Sequence, residues 1–260
     1  MFDFHMHSRI SFDGHDTGRA LALAARERGL KEICFTDHMD YEPGAAVQTM
    51  LYDLDAYSRE YDSLEVPGLI IRRGMEFGLS PENRAQAARD AAARHYDFIL
   101  GSVHFVGPQD VYFADYWNGK TVYQAERRYL EETLQCVQVH DDFDVLAHLN
   151  FISKARDHIA PRPLPYGEHR EILDEILRVL ADKGKGLEMN TSGVDRQVGF
   201  LPEKDFFQRF RELGGRIVTV GSDAHRTGRV GQYCDEAIGM LKEIFGYVCT
   251  FEDRKPVFHR

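Results

Sequence analysis

Pairs of histidines and carboxylates in this 260-residue chain are spaced so that they could share a metal ion. His5 and His7 lie two residues apart in a short apolar segment. On a strand this spacing places both imidazoles on one face, with Met6 directed toward the helices. Asp223 and His225 repeat the spacing near the end of the chain. Because neutral imidazoles with carboxylates favour zinc, manganese or iron over calcium, the two pairs predict a metal site.

Residues of the same types stand at the ends of most other apolar segments. Glu76 has an apolar context in which an unpaired carboxylate would be costly to bury, and bridging two cations would remove that cost. Asp37 is adjacent to His38 and is predicted to orient a ligand imidazole. Asp13 is either a ligand or part of a turn, and His15 fits an exposed loop better than a metal site. The residues at predicted strand ends are His5, His7, Asp37, His38, Glu76, His104, His148, Glu188, Asp223 and His225.

Two arginines in loops could hold a phosphate group. Arg156 and Arg196 each follow a predicted strand, so both could face the site. A phosphate monoester carries about two negative charges near neutral pH, and guanidinium groups hold its outer oxygens in a bidentate geometry. Solvated surface positions are the alternative for both arginines. Arg226 and Arg229 are further candidates that are less well placed.

Other histidines and aromatic residues have less distinctive positions. An aromatic segment after His104 contains Tyr112, Phe113, Tyr116 and Trp117, and it is predicted to pack or form an interface rather than to cover the site. Five histidines fall in helices, loops or the tail and are predicted to be exposed. They are His95, His140, His158, His169 and His259.

Strand-like and helix-like segments alternate along the whole chain, which predicts parallel strands with helices outside. A closed barrel is the favoured architecture, because the strand ends of a barrel converge on one face, and a doubly wound open sheet is the alternative. One domain over residues 1–260 is expected. The predicted strands are 2–7, 32–36, 69–73, 98–104, 144–148, 186–190 and 217–220. The predicted helices are 18–28, 51–64, 81–94, 123–139, 168–183, 204–213 and 235–245.

Composition narrows the class of protein. The formal net charge is -10, which argues against nonspecific binding of nucleic acid but not against a small anionic substrate. The four cysteines form no C-x-x-C pair, and this fits a reducing compartment. No signal peptide or apolar stretch long enough to span a membrane is evident. A cytoplasmic protein with a small phosphorylated substrate, and without nucleic-acid or membrane partners, is predicted.

Seven short motifs, in this order, resemble those of the PHP (polymerase and histidinol phosphatase) superfamily over nearly the whole chain. The resemblance is greatest to its histidinol-phosphatase branch. Each motif alone is weakly diagnostic, whereas seven in order are specific. The motifs are His5-x-His7, Thr36-Asp37-His38, Gly74-Met75-Glu76, Gly101-Ser102-Val103-His104-Phe105, Ala147-His148, Glu188-Met189-Asn190-Thr191-Ser192-Gly193 and Gly221-Ser222-Asp223-Ala224-His225.

The resemblance implies a distorted (β/α)7 TIM-like barrel with two or three divalent ions (Zn, Mn or Fe) at the C-terminal ends of its strands. It implies hydrolysis of L-histidinol phosphate to L-histidinol and phosphate, in histidine biosynthesis, by water that the ions activate. Asp223 or His225 would assist proton transfer, and Arg156 and Arg196 would bind phosphate. Some members have histidine where Asp13 stands, which leaves the ion of the second ligand set open. The implied ligand sets are His5, His7, Glu76 and Asp223; Asp13, His38 and His225; and Glu76, His104 and His148.

Three other interpretations remain at this point. A PHP enzyme could act on a nucleotide or another small phosphoester, because no residue visibly selects the imidazole and amine of histidinol. A non-catalytic regulatory barrel would be expected to have lost ligand residues, and none is missing. A metal hydrolase of the amidohydrolase type would place a lysine on a middle strand, and residues 98–104 and 145–148 contain none.

Overall fold

Strands and helices alternate along the chain, as the apolar pattern predicts. The computed structural model describes residues 1–154 and 162–260. The strands are β1 Phe2–Asp3, β2 Glu32–Phe35, β3 His38–Asp40, β4 Met50–Leu51, β5 Ile70–Gly78, β6 Phe98–Ser102, β7 Phe105–Val106, β8 Gln109–Asp110, β9 Val145–Leu146, β10 Gly186–Asn190, β11 Val218–Gly221, β12 Val248–Glu252 and β13 Lys255–His259. The α-helices are α1 Gly18–Glu27, α2 Leu54–Tyr61, α3 Arg84–Ala92, α4 Ala114–Trp117, α5 Val122–Val139, α6 Arg170–Asp182, α7 Lys204–Glu212 and α8 Cys234–Phe245, and the 3₁₀ turns are Phe151–Lys154, Tyr166–His169, Val194–Arg196 and Thr227–Arg229.

Seven parallel strands form the central sheet, in the order β1-β2-β5-β6-β9-β10-β11. The segment after β1 joins the far edge of this sheet. The Phe4 N–H donates to Val220 O at 3.0 Å, and the His7 N–H donates to Ala224 O at 2.8 Å. Because the first strand thereby meets the last, the sheet is a distorted TIM-like barrel. The predicted barrel is confirmed, and the open sheet is excluded.

Alternation along the strands separates the barrel interior from the helix-facing side. Leu187 and Met189 of β10 are buried in the apolar core that includes residues of the surrounding helices, and so is Met6, as its spacing from His5 and His7 predicts. Phe98 and Leu100 of β6 instead belong to a second apolar cluster, which also contains residues of β2 and β9. The inward-pointing side chains that come later along the strands can therefore line the upper end of the barrel, where the strands have their carboxyl ends.

A C-terminal hairpin, β12 and β13, packs at the lower end of the barrel, and the sequence analysis did not predict it. Phe251 of this hairpin lies 4.7 Å from Phe98, centroid to centroid, within the second apolar cluster. Arg254 binds the carboxylate of Asp144 through Nε at 2.5 Å. The amino ends of the strands are thus covered, and this leaves the carboxyl ends as the open face.

Several local predictions were wrong. Helix α3 begins at Arg84, after a turn that contains Pro81, because Asn83 turns back to hydrogen-bond Gly78 O and Ser80 N. His140 and His169 are buried rather than exposed, since each ring nitrogen Nε2 has a partner, Ser80 O at 2.8 Å and Glu126 at 3.0 Å respectively.

The single domain over residues 1–260 stays a prediction. Among the described residues, the helices all fall short of the length and hydropathy that crossing a bilayer would require.

We expect Gly221→Ala to lower the free energy of unfolding by about 1–3 kcal/mol, the cost of overpacking a close-packed interior. A Cβ at Gly221 would lie 2.2 Å from the Cβ of His5 and 2.4 Å from Oε1 of Glu188. Urea denaturation would measure the change. Gly239→Ala, on an exposed turn of α8 with open space around it, is the control and should be neutral or stabilising. Equal stability of the two variants would contradict the packing argument.

Candidate metal centre

The carboxyl ends of the barrel strands surround a cavity of about 740 Å³. Predicted ligand residues from six segments line it, together with cationic side chains from later loops. Such convergence follows from the parallel barrel, in which every strand ends on the same face. The lining includes His38, His104, His148, Lys154, Arg196 and Asp223.

Four of the predicted ligand atoms lie close together at the floor of this cavity. His5 Nε2 and His7 Nε2 are 3.1 Å apart, and they are 3.1 and 3.2 Å from Glu76 Oε2. Oδ1 of Asp223 lies 3.8 Å from His5 Nε2 and 3.5 Å from His7 Nε2. Ligands that surround one zinc ion tetrahedrally at about 2.0–2.1 Å are about 3.3 Å from one another. The observed separations match this spacing.

The second oxygen of Glu76 faces another pair of imidazoles. Its Oε1 lies 2.8 Å from His148 Nε2 and 3.5 Å from His104 Nε2, and it accepts a hydrogen bond from Ser102 at 2.5 Å. Glu76 is fully buried on the inward side of β5. Its position between two groups of histidines is the one that the sequence analysis assigned to a bridging carboxylate.

The third predicted group stands at the mouth of the cavity. His225 Nε2 lies 3.0 Å from Asp13 Oδ2, and His38 Nε2 lies 3.8 Å from the same oxygen. The His7 ring stacks between these two imidazoles, with centroid distances of 4.2 Å to His38 and 4.3 Å to His225. Asp13 is therefore not only part of a turn, because its carboxylate faces the same cluster.

The orientation of the histidines fits metal binding. A ligand imidazole normally donates its second N–H to a carboxylate or carbonyl oxygen, which fixes the tautomer. His5 Nδ1 faces Glu188 Oε1 at 2.7 Å, and His225 Nδ1 faces the Asp223 carbonyl at 2.9 Å. With Nδ1 protonated in both, Nε2 keeps its lone pair for a cation. Glu188, a strand-end residue without a predicted role, is thereby assigned one.

The tautomer of His7 is set through a hydroxyl group. Ser11 Oγ donates its proton to Asp37 Oδ1 at 2.9 Å. The Ser11 oxygen must therefore accept a hydrogen bond from His7 Nδ1, which lies 3.1 Å away. Asp37 also accepts from Tyr61 OH at 2.5 Å. Asp37 thus acts on the imidazole of His7 through Ser11, whereas its neighbour His38 points the other way, because neighbouring residues in extended backbone point in opposite directions.

Asp40 lies against two of the predicted ligand imidazoles. Its Oδ2 lies 2.9 Å from His104 Nδ1 and 3.2 Å from His38 Nδ1. Asp40 is two residues beyond His38 on β3, hence on the same side of the strand. Burial would raise the pKa of Asp40, but the two imidazoles outweigh burial and lower it to about 2. The carboxylate is therefore ionised at neutral pH.

The cluster has a negative electrostatic potential. Burial alone would lower the pKa of His38, but the carboxylates of Glu76 and Asp40 outweigh it and raise the pKa to about 9. Carboxylates raise the pKa of His5 in the same way. Burial and two neighbouring imidazoles lower the pKa of His7 to about 3 and keep it neutral. A site that draws protons onto buried imidazoles would also attract divalent cations in their place.

Two residues of the site have an unusual backbone. Asp223 has φ of 55° and His148 has φ of 21°, in the left-handed region that side chains other than glycine seldom adopt. Such conformations persist where the surrounding structure holds them, and they cluster at functional sites. Hydrogen bonds supply the support here, since Asp223 N–H donates to His5 O at 2.8 Å and His148 N–H donates to Glu188 Oε2 at 2.9 Å.

Lys154 is a residue of the site that the sequence analysis missed. It ends the 3₁₀ turn that follows β9, its side chain is 6% exposed, and its Nζ lies 2.5 Å from Asp223 Oδ2. Its position six residues after His148, in the loop that leaves the same strand end, is the signal that could have identified it.

Of the two predicted phosphate-binding arginines, Arg196 lies among the described residues and Arg156 does not. Arg196 lines the cavity, and its guanidinium donates to Tyr112 OH at 3.0 Å. Arg226 and Arg229 also line the cavity, and Arg229 forms an ion pair with Asp195. Arg156 lies outside the described residues, as does His158.

Two further expectations are settled by position. His15 is exposed at the edge of the cavity, where its Nε2 lies 3.2 Å from Arg226, and no described carboxylate of the cluster contacts it. The aromatic segment is divided, since Tyr116 and Trp117 are buried in the core and Tyr112 and Phe113 line the cavity. Part of it thus packs, as predicted, and part forms a wall of the site.

We expect Asp40→Asn to weaken zinc binding by roughly 10- to 100-fold, the usual effect of losing a partner that orients ligands. The amide has no charge, so its oxygen holds the N–H of His104 less strongly than the Asp40 carboxylate, whose Oδ2 lies 2.9 Å from His104 Nδ1. Zinc affinity would be measured by competition with a chelating dye. Asp90→Asn, outside the cavity on α3, should leave it unchanged. Unaltered zinc affinity in Asp40→Asn would contradict the assigned role.

A TIM-like barrel with histidines and carboxylates gathered at the C-terminal ends of its strands is the architecture of metal-dependent barrel hydrolases. Comparison with known proteins identifies the family. The PHP domain matches residues 3–192, so this chain belongs to the PHP domain family.

Two curated relatives extend the similarity over almost the whole chain. The histidinol-phosphatase of Lactococcus lactis subsp. lactis is 31% identical over 97% of this chain and 95% of that protein. A Deinococcus radiodurans protein named as a probable histidinol-phosphatase is 30% identical over 97% of each chain.

Solved structures show the same similarity. The crystal structure of the Lactococcus lactis histidinol phosphate phosphatase, complexed with zinc, L-histidinol and phosphate, superposes with a TM-score of 0.90 at 31% identity, covering 98% of both chains. A Listeria monocytogenes structure superposes with a TM-score of 0.70 over 90% of this chain and 99% of that one. At 17% identity, this similarity shows only that the two chains share a fold.

Proposed function

We propose that this protein is a metal-dependent phosphomonoesterase that hydrolyses L-histidinol phosphate to L-histidinol and phosphate, a step of histidine biosynthesis. The observation that carries the proposal is the match, at a TM-score of 0.90 and 31% identity, to the phosphatase complexed with zinc, L-histidinol and phosphate. The cluster of imidazoles and carboxylates in a 740 Å³ cavity supports it, since such a cavity admits a small phosphoester.

Two or three divalent ions would be held by the groups described above. Zinc is the first candidate because its tetrahedral geometry fits the spacing around Glu76 Oε2. When bound, such ions activate water at neutral pH and neutralise charge on phosphoryl oxygens. The proposed ligands are His5, His7, Glu76 and Asp223; Asp13, His38 and His225; and Glu76, His104 and His148.

Cationic side chains from two later loops would bind the phosphoryl group. Lys154 and Arg196 both line the cavity, and both come from loops that follow barrel strands. Arg196 is oriented by Tyr112, and its remaining N–H groups, which have no acceptor among the described residues, would donate to phosphoryl oxygens. Arg156 is proposed for the same role on the strength of the sequence alone.

Residues that follow β11, the last strand of the barrel, would transfer a proton to the departing alkoxide. Asp223 and His225 are the proposed residues. Asp223 Oδ2 accepts from Lys154 at 2.5 Å and from Ser192 at 3.1 Å, which holds this carboxylate at the wall of the cavity. His225 is the more accessible of the two, with 25% of its side chain exposed. Either group lies within reach of a phosphoester bound between Lys154 and the cluster.

A cytoplasmic location is also proposed. All four cysteines are buried and none forms a disulfide bond, which suits a reducing compartment. The absence of nucleic-acid and membrane partners stays a prediction based on the net charge of -10 and on the sequence.

Phosphate release by purified protein tests the function. L-histidinol phosphate, nucleoside monophosphates and p-nitrophenyl phosphate would be compared with and without a chelator, and with zinc or manganese restored. We expect the highest kcat/KM for L-histidinol phosphate, loss of activity on chelation, and recovery on adding metal. A preference for nucleotides would retain a PHP phosphatase and replace the substrate. Chelator-resistant hydrolysis would contradict the metal-dependent mechanism.

A further inference from the structure

The last two residues of helix α2 lie outside the cavity lining, and they hold the loop that leads into α1. Glu60 Oε1 accepts a hydrogen bond from the Gly18 N–H at 2.7 Å, and its Oε2 accepts one from the Arg9 guanidinium at 2.8 Å. The hydroxyl oxygen of Tyr61 lies 2.5 Å from Ser8 Oγ. Both ends of the loop are therefore attached to one turn of α2.

This loop carries Asp13, the proposed ligand at the mouth of the cavity, and it is folded tightly on Ser8. The Ser11 N–H donates to Ser8 O at 3.0 Å, and the Gly14 N–H donates to Ser11 O at 3.2 Å. A Cβ at Gly14 would lie 1.7 Å from Ser8 O, so the chain passes too closely for any side chain. The position of the Asp13 carboxylate thus depends on where Ser8 and Ser11 are held.

A buried carboxylate, that of Asp37, connects Tyr61 to both serines. Its Oδ2 accepts from Tyr61 OH at 2.5 Å, and its Oδ1 accepts from the Ser8 N–H at 2.8 Å and from Ser11 Oγ at 2.9 Å. Each of the four side chains is at most 3% exposed. Because solvent cannot replace a lost donor there, removing the Tyr61 hydroxyl would leave one oxygen of the carboxylate unsatisfied. The carboxylate would then be free to turn away from Ser11.

Ser11 passes this constraint to two ligand histidines. Its oxygen accepts from His7 Nδ1 at 3.1 Å and from the His38 N–H at 3.0 Å, while its proton is donated to Asp37. His7 belongs to the ligand group on the floor of the cavity, and His38 belongs to the group at its mouth. One hydroxyl therefore connects two ligand groups, and its orientation depends on the carboxylate that Tyr61 holds.

We propose that Tyr61 is a positioning residue of the metal centre, whose hydroxyl acts through Asp37 and Ser11 to set the tautomer of His7 and the place of Asp13. This role rests on the proposed function in one respect, that the cluster binds divalent ions. The group at the mouth should be the more sensitive, because the Asp13 side chain is 37% exposed and is held only through its loop, whereas the ligands on the floor are buried.

Tyr61→Phe removes the hydroxyl and keeps the ring, and the same helix offers a matched control. Tyr57 lies one turn earlier on α2, is equally buried, and donates its hydroxyl to Gly74 O at 2.7 Å. Tyr57→Phe also loses one buried hydroxyl and its hydrogen bond, and it leaves the Asp37 carboxylate untouched. Both variants should be less stable than the wild type, but only Tyr61→Phe should alter the metal centre.

Zinc titration of metal-free protein, in competition with a chelating dye, measures the first effect. We expect Tyr61→Phe to weaken the most weakly bound zinc ion by about 10- to 100-fold, the usual effect of losing a partner that orients ligands. Tyr57→Phe should bind zinc as the wild type does. Unchanged zinc binding in Tyr61→Phe, or an equal loss in both variants, would overturn the proposed role.

Nitrogen-15 NMR of the imidazoles in metal-free protein measures the second effect, with the His7 signal identified by its loss in His7→Asn. We expect His7 to be protonated at Nδ1 in the wild type and in Tyr57→Phe, and to be a mixture of both tautomers in Tyr61→Phe. Ser11→Ala removes the next group along the same route and should reproduce both effects, even if Tyr61→Phe fails to fold.

The NMR measurement also separates this role from the proposed function. If the wild type binds no zinc, the proposed function fails, whereas the tautomer of His7 still reports on Tyr61. A single tautomer protonated at Nδ1 in Tyr61→Phe or in Ser11→Ala would overturn the route through Ser11.

Discussion

Glu76→Gln is expected to lower kcat/KM by about 10³-fold and to reduce the amount of bound metal. Glu76 uses both oxygens, Oε2 toward His5 and His7 and Oε1 toward His104 and His148. An amide has one oxygen, and its NH₂ group would face a pair of imidazoles as a donor. Losing a residue that only orients ligands costs 10- to 100-fold, so the loss of a shared ligand should cost more.

Glu32→Gln is the matched control for this prediction. Glu32 is also a buried barrel glutamate, but it begins β2 at the lower end and binds Arg72 at 2.7 Å. We expect it to lose some stability and to retain its metal content and kcat. Metal content from elemental analysis, measured with steady-state kinetics, would decide between the two sites. Wild-type metal content in Glu76→Gln would show that this carboxylate is not a shared ligand.

For some of the side chains, the sequence alone was sufficient to predict that they meet. His5, His7 and Glu76 could be assigned because two rules apply to each: the period of two along a strand, and the convergence of strand ends in a parallel barrel. Both rules depend only on the order of residues. They do not give distances, so the 3.1 Å separation of the His5 and His7 nitrogens required the folded chain.

Residues that depend on tertiary packing were not predictable in this way. Asp40 and Lys154 orient or balance the site from a short strand and a 3₁₀ turn, neither of which has a periodic pattern. His140 was predicted to be exposed because it follows a predicted helix and does not end a strand, whereas the backbone of Ser80 provides a buried acceptor 60 residues away. Local sequence does not record such a partner.

Lys154→Met is expected to reduce kcat for L-histidinol phosphate by about 10²–10³-fold while the bound zinc is retained. The methionine side chain is almost as long as that of lysine, so packing changes little. What is lost is an ammonium group 2.5 Å from Asp223, in the part of the cavity where charge would develop on the phosphoryl oxygens. Removing one preorganised donor to developing charge typically costs this much.

A purely structural ion pair between Lys154 and Asp223 would give a different result. In that case Lys154→Met would lose zinc and kcat in parallel, because the Asp223 carboxylate would be displaced from His7. Lys185→Met is the control, since Lys185 donates at 2.6 Å to the carbonyls of Asp141 and Phe143 at the lower end of the barrel. It should destabilise the fold without changing kcat. Loss of kcat at constant zinc content, in Lys154→Met alone, would distinguish direct charge stabilisation from support of the metal ligand.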